Sequence, residues 1–314
     1  MTKQRNLAAS VRQRLLNASR TRREDFQVTL TRYALERLLY RLSRSGYREQ
    51  FIIKGAMLFS IWNESPHRPT RDLDLLSFGA SEITRLENTF CEIIDTEVEP
   101  DGLEFITDTV RGGRIKEDQE YEGVRVNLQA RLEGARISLQ VDIGFGDAVT
   151  PAPEEIEYPT LLAGSPAPRL RAYSRYSVVA EKFQAMVMLG IANTRMKDFY
   201  DVLTLARTFD FDGEVLCQSL KATFERRATE LPLTTPLALT PEFYMEQTKQ
   251  SQWNAFLKRS QLMEKSAPLE EVAALLQNFL MPPTLAASKD ESFEMRWNYS
   301  AASWQTKGNE TELP

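Results

Sequence analysis

Phe51-Ile52-Ile53-Lys54-Gly55-Ala56-Met57-Leu58-Phe59 and, beyond a proline-flanked loop, Arg71-Asp72-Leu73-Asp74-Leu75-Leu76 carry the reading of the fold. The apolar run before Lys54-Gly55 has the length of a short strand, the glycine turns the chain, and Ala56 to Trp62 has helical character. Leu73 to Leu76 reads as the next strand. Side chains alternate along a strand, so Asp72 and Asp74 share one face while Leu73 and Leu75 face the core.

Working outward, Val28 to Arg44 has apolar residues at helical spacing and stops at Ser45-Gly46. Residues 82–95 read as a helix and 103–109 as a strand. Val124 to Ala130 and Ile137 to Ile143 each alternate apolar with polar residues around Glu133-Gly134, which predicts an antiparallel hairpin with Ser138, Gln140 and Asp142 on its polar face. Five prolines between Pro151 and Pro168 predict a link out of the sheet. Helices are expected over 177–192, 197–208, 213–228, 241–260 and 268–280. The last thirty residues are polar apart from Phe293, Trp297 and Trp304, and there is no internal repeat. These readings divide the chain into a basic helical arm (1–48), a core (49–170), a helical region (171–285) and a polar tail (286–314).

The 314 residues, 42% hydrophobic and 26% charged, have the composition of an ordinary globule, which excludes collagen-like and mainly disordered classes. No apolar run reaches the roughly 20 residues of a bilayer span, and the first residues lack the apolar centre of a secretory signal. A cytoplasmic protein is expected. Cys91 and Cys217 are far apart and neither belongs to a C-x-x-C pair, so no disulfide framework or thiolate zinc site is indicated. His67 is the sole histidine, sits in a loop and receives no role. Residues 1–50 hold twelve Lys and Arg against four Asp and Glu, a net of +8 in a chain of net charge −5. Such an arm suits a polyanion such as RNA, because Arg forks onto phosphate oxygens; the alternative is a set of solvated helix faces or an acidic partner.

Asp72, Asp74 and Asp142 are the candidate reactive cluster. If their strands are neighbours, three carboxylates meet and repel unless a cation lies among them. Oxygen ligands without histidine favour Mg²⁺ or Mn²⁺, and two such ions can serve an in-line nucleotidyl displacement. The plainer reading of D-x-D is a strand end or an Asx turn. Gly55, lacking a Cβ, lets phosphate approach its backbone, or simply makes a tight turn. Lys54 can contact phosphate or cap a helix elsewhere. Val178, Lys182, Met186 and Leu189 fall on one helical stripe, so Lys182 either snorkels to water or is held by an anion. Asp198 and Asp201, three apart on a helix, can stabilise that helix's dipole or pair with Lys182 or Arg195.

With these residues in view, the chain resembles the AbiEii/AbiGii nucleotidyltransferase toxins of bacterial abortive-infection toxin–antitoxin pairs. The resemblance rests on five short motifs in the family's order: F-I-I-K-G-A-M-L-F (51–59), R-P-T-R-D-L-D-L-L (68–76), Q-V-D-I-G-F-G-D (140–147), A-E-K-F-Q-A-M-V (180–187) and N-T-R-M-K-D-F-Y-D (193–201). It implies an α/β (α+β) fold with a DNA polymerase beta-like nucleotidyltransferase core, a small mixed sheet, N-terminal helices and a helical C-terminal region. It further implies Asp72, Asp74 and Asp142 as metal ligands and catalytic residues with Lys182, and Lys54, Gly55, Arg71, Arg195, Lys197, Asp198 and Asp201 as nucleotide-binding. The implied cofactor is Mg²⁺ or Mn²⁺, the substrate an NTP, the acceptor the 3′ end of tRNA, and the partner a cognate antitoxin. Ala56 stands where the family usually has Gly or Ser, which removes a hydroxyl and leaves the backbone N–H. Two other readings are a catalytically silent nucleotide- or RNA-binding protein and a phosphodiesterase using the same carboxylates.

Overall fold

A computed structural model describes residues 2–62, 68, 70–115, 123–147, 149–262 and 267–307. His67 lies outside the described residues. The chain forms two compact units, the first from residues 1–146 and 154–172 and the second from 147–153 and 173–314.

The first unit opens with α1 (Thr2–Arg22) and α2 (Phe26–Arg44). Asp25 caps α2 by accepting from the Gln27 and Val28 N–H groups, and the helix buries Leu30, Leu35, Leu38 and Leu39. Next come β1 (Phe51–Lys54), a 3-10 turn over Gly55–Leu58, α3 (Phe59–Trp62), β2 (Asp72–Ser77) and α4 (Ile83–Ile94). Strands β3 (Glu104–Ile115), β4 (Gly123–Leu132), β5 (Ala135–Phe145), β6 (Glu154–Glu157) and β7 (Arg169–Ala172) complete a seven-stranded mixed sheet of order β3-β4-β5-β2-β1-β7-β6. Glu133 and Gly134, both at positive φ, make the two-residue turn of the expected β4–β5 hairpin. Leu73 and Leu75 are buried against the core, and α2 packs on the sheet.

The proline-rich stretch is not a simple exit. The chain leaves the sheet at 147–153, returns as β6 and β7, and departs again at Tyr173. Short polar strands such as Glu154–Glu157, at a sheet edge, lack the alternation that marks longer ones. The N-terminal helices likewise group with the sheet, so residue 48 is not a division in the structure. Their arginines explain why: Arg37 pairs with Glu36 in the interior, Arg41 with Asp101, Arg48 with Glu155 and Arg12 with Glu133, while Arg32 pairs with Glu24. Arg14 and Arg37 also donate to the Ala163 and Pro166 carbonyls. Much of the arm's positive charge is thus matched within its own unit, and among the described side chains Arg20, Arg22, Arg23 and Arg44 are exposed.

The second unit is helical: α5 (Arg175–Leu189), α6 (Met196–Thr208), β8 (Phe211–Asp212), α7 (Gly213–Arg226), α8 (Pro241–Tyr244), α9 (Gln247–Arg259) and α10 (Leu269–Ser288), followed by β9 (Met295–Asn298) and β10 (Ser303–Thr306). The helix expected over 241–260 is broken at Met245-Glu246, where Glu246 caps α9 by accepting from the Lys249 N–H. Residues 286–307 are not a detached tail. The last strands join β8 in a three-stranded sheet, and Trp297 is buried with its indole donating to the Ala206 carbonyl at 2.7 Å. A few well-spaced aromatic residues suffice for this anchoring, because each buries a large apolar area. The mixed α/β architecture with helices at both ends is the one expected from the sequence.

Candidate active site

Sheet register assembles the acidic face of the first unit. Asp74 pairs in register with Asp142 on parallel β5, and Asp72 pairs with Gln140. On the other side Asp74 faces Lys54 of antiparallel β1, and Asp142 faces Arg125 of β4. Register partners point to the same face, and neighbouring strands lie about 4.8 Å apart. Lys54, Asp74, Asp142 and Arg125 therefore form one row across four strands, with charges plus, minus, minus, plus. Asp72 stands one step along the same face.

Gly55 follows Lys54 at φ +74°, a backbone region that L side chains rarely adopt. A Cβ at this position would lie 1.9 Å from Asp74 Oδ2, so the glycine is what lets the carboxylate settle against the turn. The chain continues in a single 3-10 turn before the four-residue α3, rather than entering a full helix at once. Arg71, just before β2, is exposed.

Asp142 accepts from two side chains. Arg125 donates Nε to Oδ1 and Nη2 to Oδ2, both at 2.8 Å, and Gln140 Nε2 donates to Oδ2 at 3.2 Å. Among the described residues no group of three His, Cys, Asp or Glu side chains gathers as a ready cation cage. The donor chemistry on this face, oxygen only, suits Mg²⁺ or Mn²⁺, and Asp72 and Asp74 share it without a bulky neighbour at Gly55. The third carboxylate is in register with them but turned to the guanidinium.

Arg125 was not singled out in the sequence, yet a signal for it exists. A two-residue turn at Glu133-Gly134 fixes the hairpin register, and counting back from it places residue 125 opposite 142.

The second unit carries a separate charged cluster. Lys182 of α5 donates to Asp198 Oδ1 at 2.5 Å and lies 2.8 Å from Asp201 Oδ2, both carboxylates buried on one face of α6. Arg195 Nε donates to Asp198 Oδ2 at 2.7 Å. Burial alone would push the Asp198 carboxyl up, but the Lys182 ammonium and the Arg195 guanidinium outweigh it and hold it below the ordinary carboxylate range. The four charges sum to zero. Arg195 is partly exposed and Lys197 is exposed, so they present the accessible positive charge here. Two residues not singled out complete the support: Asn193 Oδ1 accepts from the Arg195 N–H, and buried Lys249 donates to the Asn193 carbonyl at 3.0 Å.

A family model described as "Nucleotidyl transferase AbiEii toxin, Type IV TA system" matches residues 37–278, which span both the acidic face and the Lys182 cluster. The chain belongs to the AbiEii nucleotidyltransferase toxin family. It is accordingly a nucleotidyltransferase, and AbiEii membership places it among toxins of type IV toxin–antitoxin systems. Among solved structures, it is similar to a candidate nucleotidyltransferase from H. pylori and to JHP933 from Helicobacter pylori, each at 16% identity and a TM-score of 0.47. These matches cover 85% of this chain and 96% and 94% of theirs. At this score neither likeness informs the chemistry. No curated protein matches the chain. Among the described residues, no helix of this AbiEii member is long and apolar enough to cross a membrane.

Proposed function

We propose that the chain transfers a nucleoside monophosphate from an NTP to the 3′ end of tRNA in the cytoplasm, and that a cognate antitoxin restrains it. The observation that supports this reading is the register pairing of Asp74 with Asp142 beside the Cβ-free turn at Gly55. Asp72 and Asp74 would hold Mg²⁺ or Mn²⁺, and Asp142 lies next in register to share it. The bound ion would offset charge on the triphosphate and orient the attacking and leaving oxygens. Asp142, once drawn from Arg125, accepts the proton of the acceptor hydroxyl. Gly55 leaves room for a phosphate oxygen against the backbone, and Lys54 balances charge at the end of the row. In the second unit, Lys182 fixes α6 through Asp198 and Asp201, and Arg195 and Lys197 at the start of that helix carry positive charge suited to an anion.

The test is incubation of the full chain with each labelled NTP, Mg²⁺ and total tRNA. Label is expected in the tRNA, and Asp74→Asn is expected to reduce it by more than about a hundredfold, since loss of an outer partner of a metal site alone costs 10–100-fold. Shortened tRNA would instead indicate a phosphodiesterase. Bound but unmodified nucleotide would indicate a silent binding protein.

A further inference from the structure

We propose that Arg125 is a positioning residue that stands in for the divalent cation: it holds Asp142 in the acidic row until the cation takes the carboxylate over. The inference rests on the metal-dependent reading above and concerns a residue outside the five family motifs.

Three observations carry it. Asp74 and Asp142 are direct register partners on adjacent parallel strands, so two carboxylates lie side by side at strand spacing, flanked by Lys54 and Arg125. Arg125 is the register partner on the far side of Asp142 and engages both carboxylate oxygens, a match of two N–H donors to two acceptors that Lys cannot reproduce. With Gln140 on Oδ2 as well, three of the roughly four acceptor positions of Asp142 are taken, and a cation that reached the carboxylate would be repelled by the guanidinium engaged with both its oxygens. The pair is also only partly desolvated, at 41% exposure for the Arg125 side chain and 20% for Asp142. Ion pairs of that exposure shift an equilibrium modestly, which makes this one strong enough to bias Asp142 and weak enough to be exchanged.

The guanidinium and the cation therefore compete for one carboxylate. Removing the competitor should tighten cation binding, and the metal-free protein should lose the support that the metal-bound protein no longer uses. A merely structural arginine would instead lower stability equally with and without metal, and would leave cation affinity unchanged.

The experiment titrates Mn²⁺ alone into the full-length wild type and into the Arg125→Gln, Arg125→Lys and Asp74→Asn variants, reading free Mn²⁺ by electron paramagnetic resonance. Melting curves are recorded in parallel with and without Mn²⁺. Arg125→Gln is expected to bind Mn²⁺ roughly two- to fivefold more tightly than wild type, with a larger metal-induced rise in melting temperature. Arg125→Lys should fall between them. Wild-type or weaker affinity in Arg125→Gln, alongside loss of binding in Asp74→Asn, overturns the role of Arg125 and leaves the metal site standing. Binding that Asp74→Asn does not alter overturns both.

Discussion

The indole Nε1 of Trp304 donates to the Phe279 carbonyl at 3.1 Å, and that carbonyl is the one Pro283, four residues on, has no N–H to reach. A proline inside a helix strips the preceding turn of a donor, which normally kinks or ends the helix. Here the donor comes from β10, and the Phe279 and Trp304 rings stack at 6.0 Å with an interplanar angle of 6°. The sequence reading stopped this helix at 280, just before Pro282-Pro283, whereas α10 runs on to Ser288.

The repair can be measured. Trp304→Phe keeps a stacking ring and removes the donor, so it should cost about 1–3 kcal/mol by leaving a polar group unsatisfied. Pro283→Ala restores a helical N–H, and in that background the same Trp304→Phe change should cost less. Urea unfolding of the four proteins closes the cycle; strictly additive effects would show that the indole donor and the proline are not coupled.

Lys182→Met should be strongly destabilising. It leaves Asp198 and Asp201 buried near one another with their shared ammonium gone, and breaking a buried ion pair by removing one partner typically costs about 3–5 kcal/mol. Denaturant unfolding monitored by circular dichroism reads this directly. A loss below about 1 kcal/mol would mean that the cluster relaxes into water.

The same cluster sets a pH dependence. A carboxylate whose folded-state pKa is lowered contributes stability that is present above its unfolded value, about 3.9, and lost as pH falls through the folded value. Asp198 is such a group, so the melting temperature should decline as acidification passes below about pH 4. Asp198→Asn should start lower and show a flatter acid limb. Parallel curves for the two proteins would assign the acid sensitivity elsewhere.

Gly55→Ala tests the turn beside Asp74. Positive φ costs a non-glycine residue about 1–2 kcal/mol, and the new methyl would occupy the place of Asp74 Oδ2. Unfolding should show that modest loss, while nucleotide transfer falls much further because Asp74 must move. Full transfer activity in a folded Gly55→Ala protein would mean that the carboxylate's seat is unimportant.

The elements that dominate the first unit were legible because their signals are local. Helix α2 has period and cap, the β4–β5 hairpin has alternation on either side of a two-residue turn, and D-x-D places two acids on one face whatever the partner strands. Strands β6 and β7 were not legible: four residues each, rich in Glu or Arg, and recruited to the sheet by pairing rather than by an apolar pattern. The ion pairs of the basic arm were not legible for a related reason. Counting charges treats each arginine as facing water, whereas the acids that match Arg41, Arg48 and Arg12 come from distant parts of the chain. In the candidate site, the Arg125–Asp142 pairing follows from the hairpin turn, while the pairing of Asp74 with Asp142 depends on the neighbourhood and register of two strands far apart in the chain, which no local signal sets.

The return of the chain to the sheet after residue 153 bears on how the protein can be dissected. A fragment ending near residue 150 would contain the first three motifs, up to Asp147, yet it would strip β7 and β6 from β1. The exposed flank of Phe51–Lys54 would then offer its main-chain hydrogen-bonding groups to any other chain, an invitation to aggregate. Trimming from the C-terminal side is therefore safe for this sheet only if the cut falls beyond Ala172.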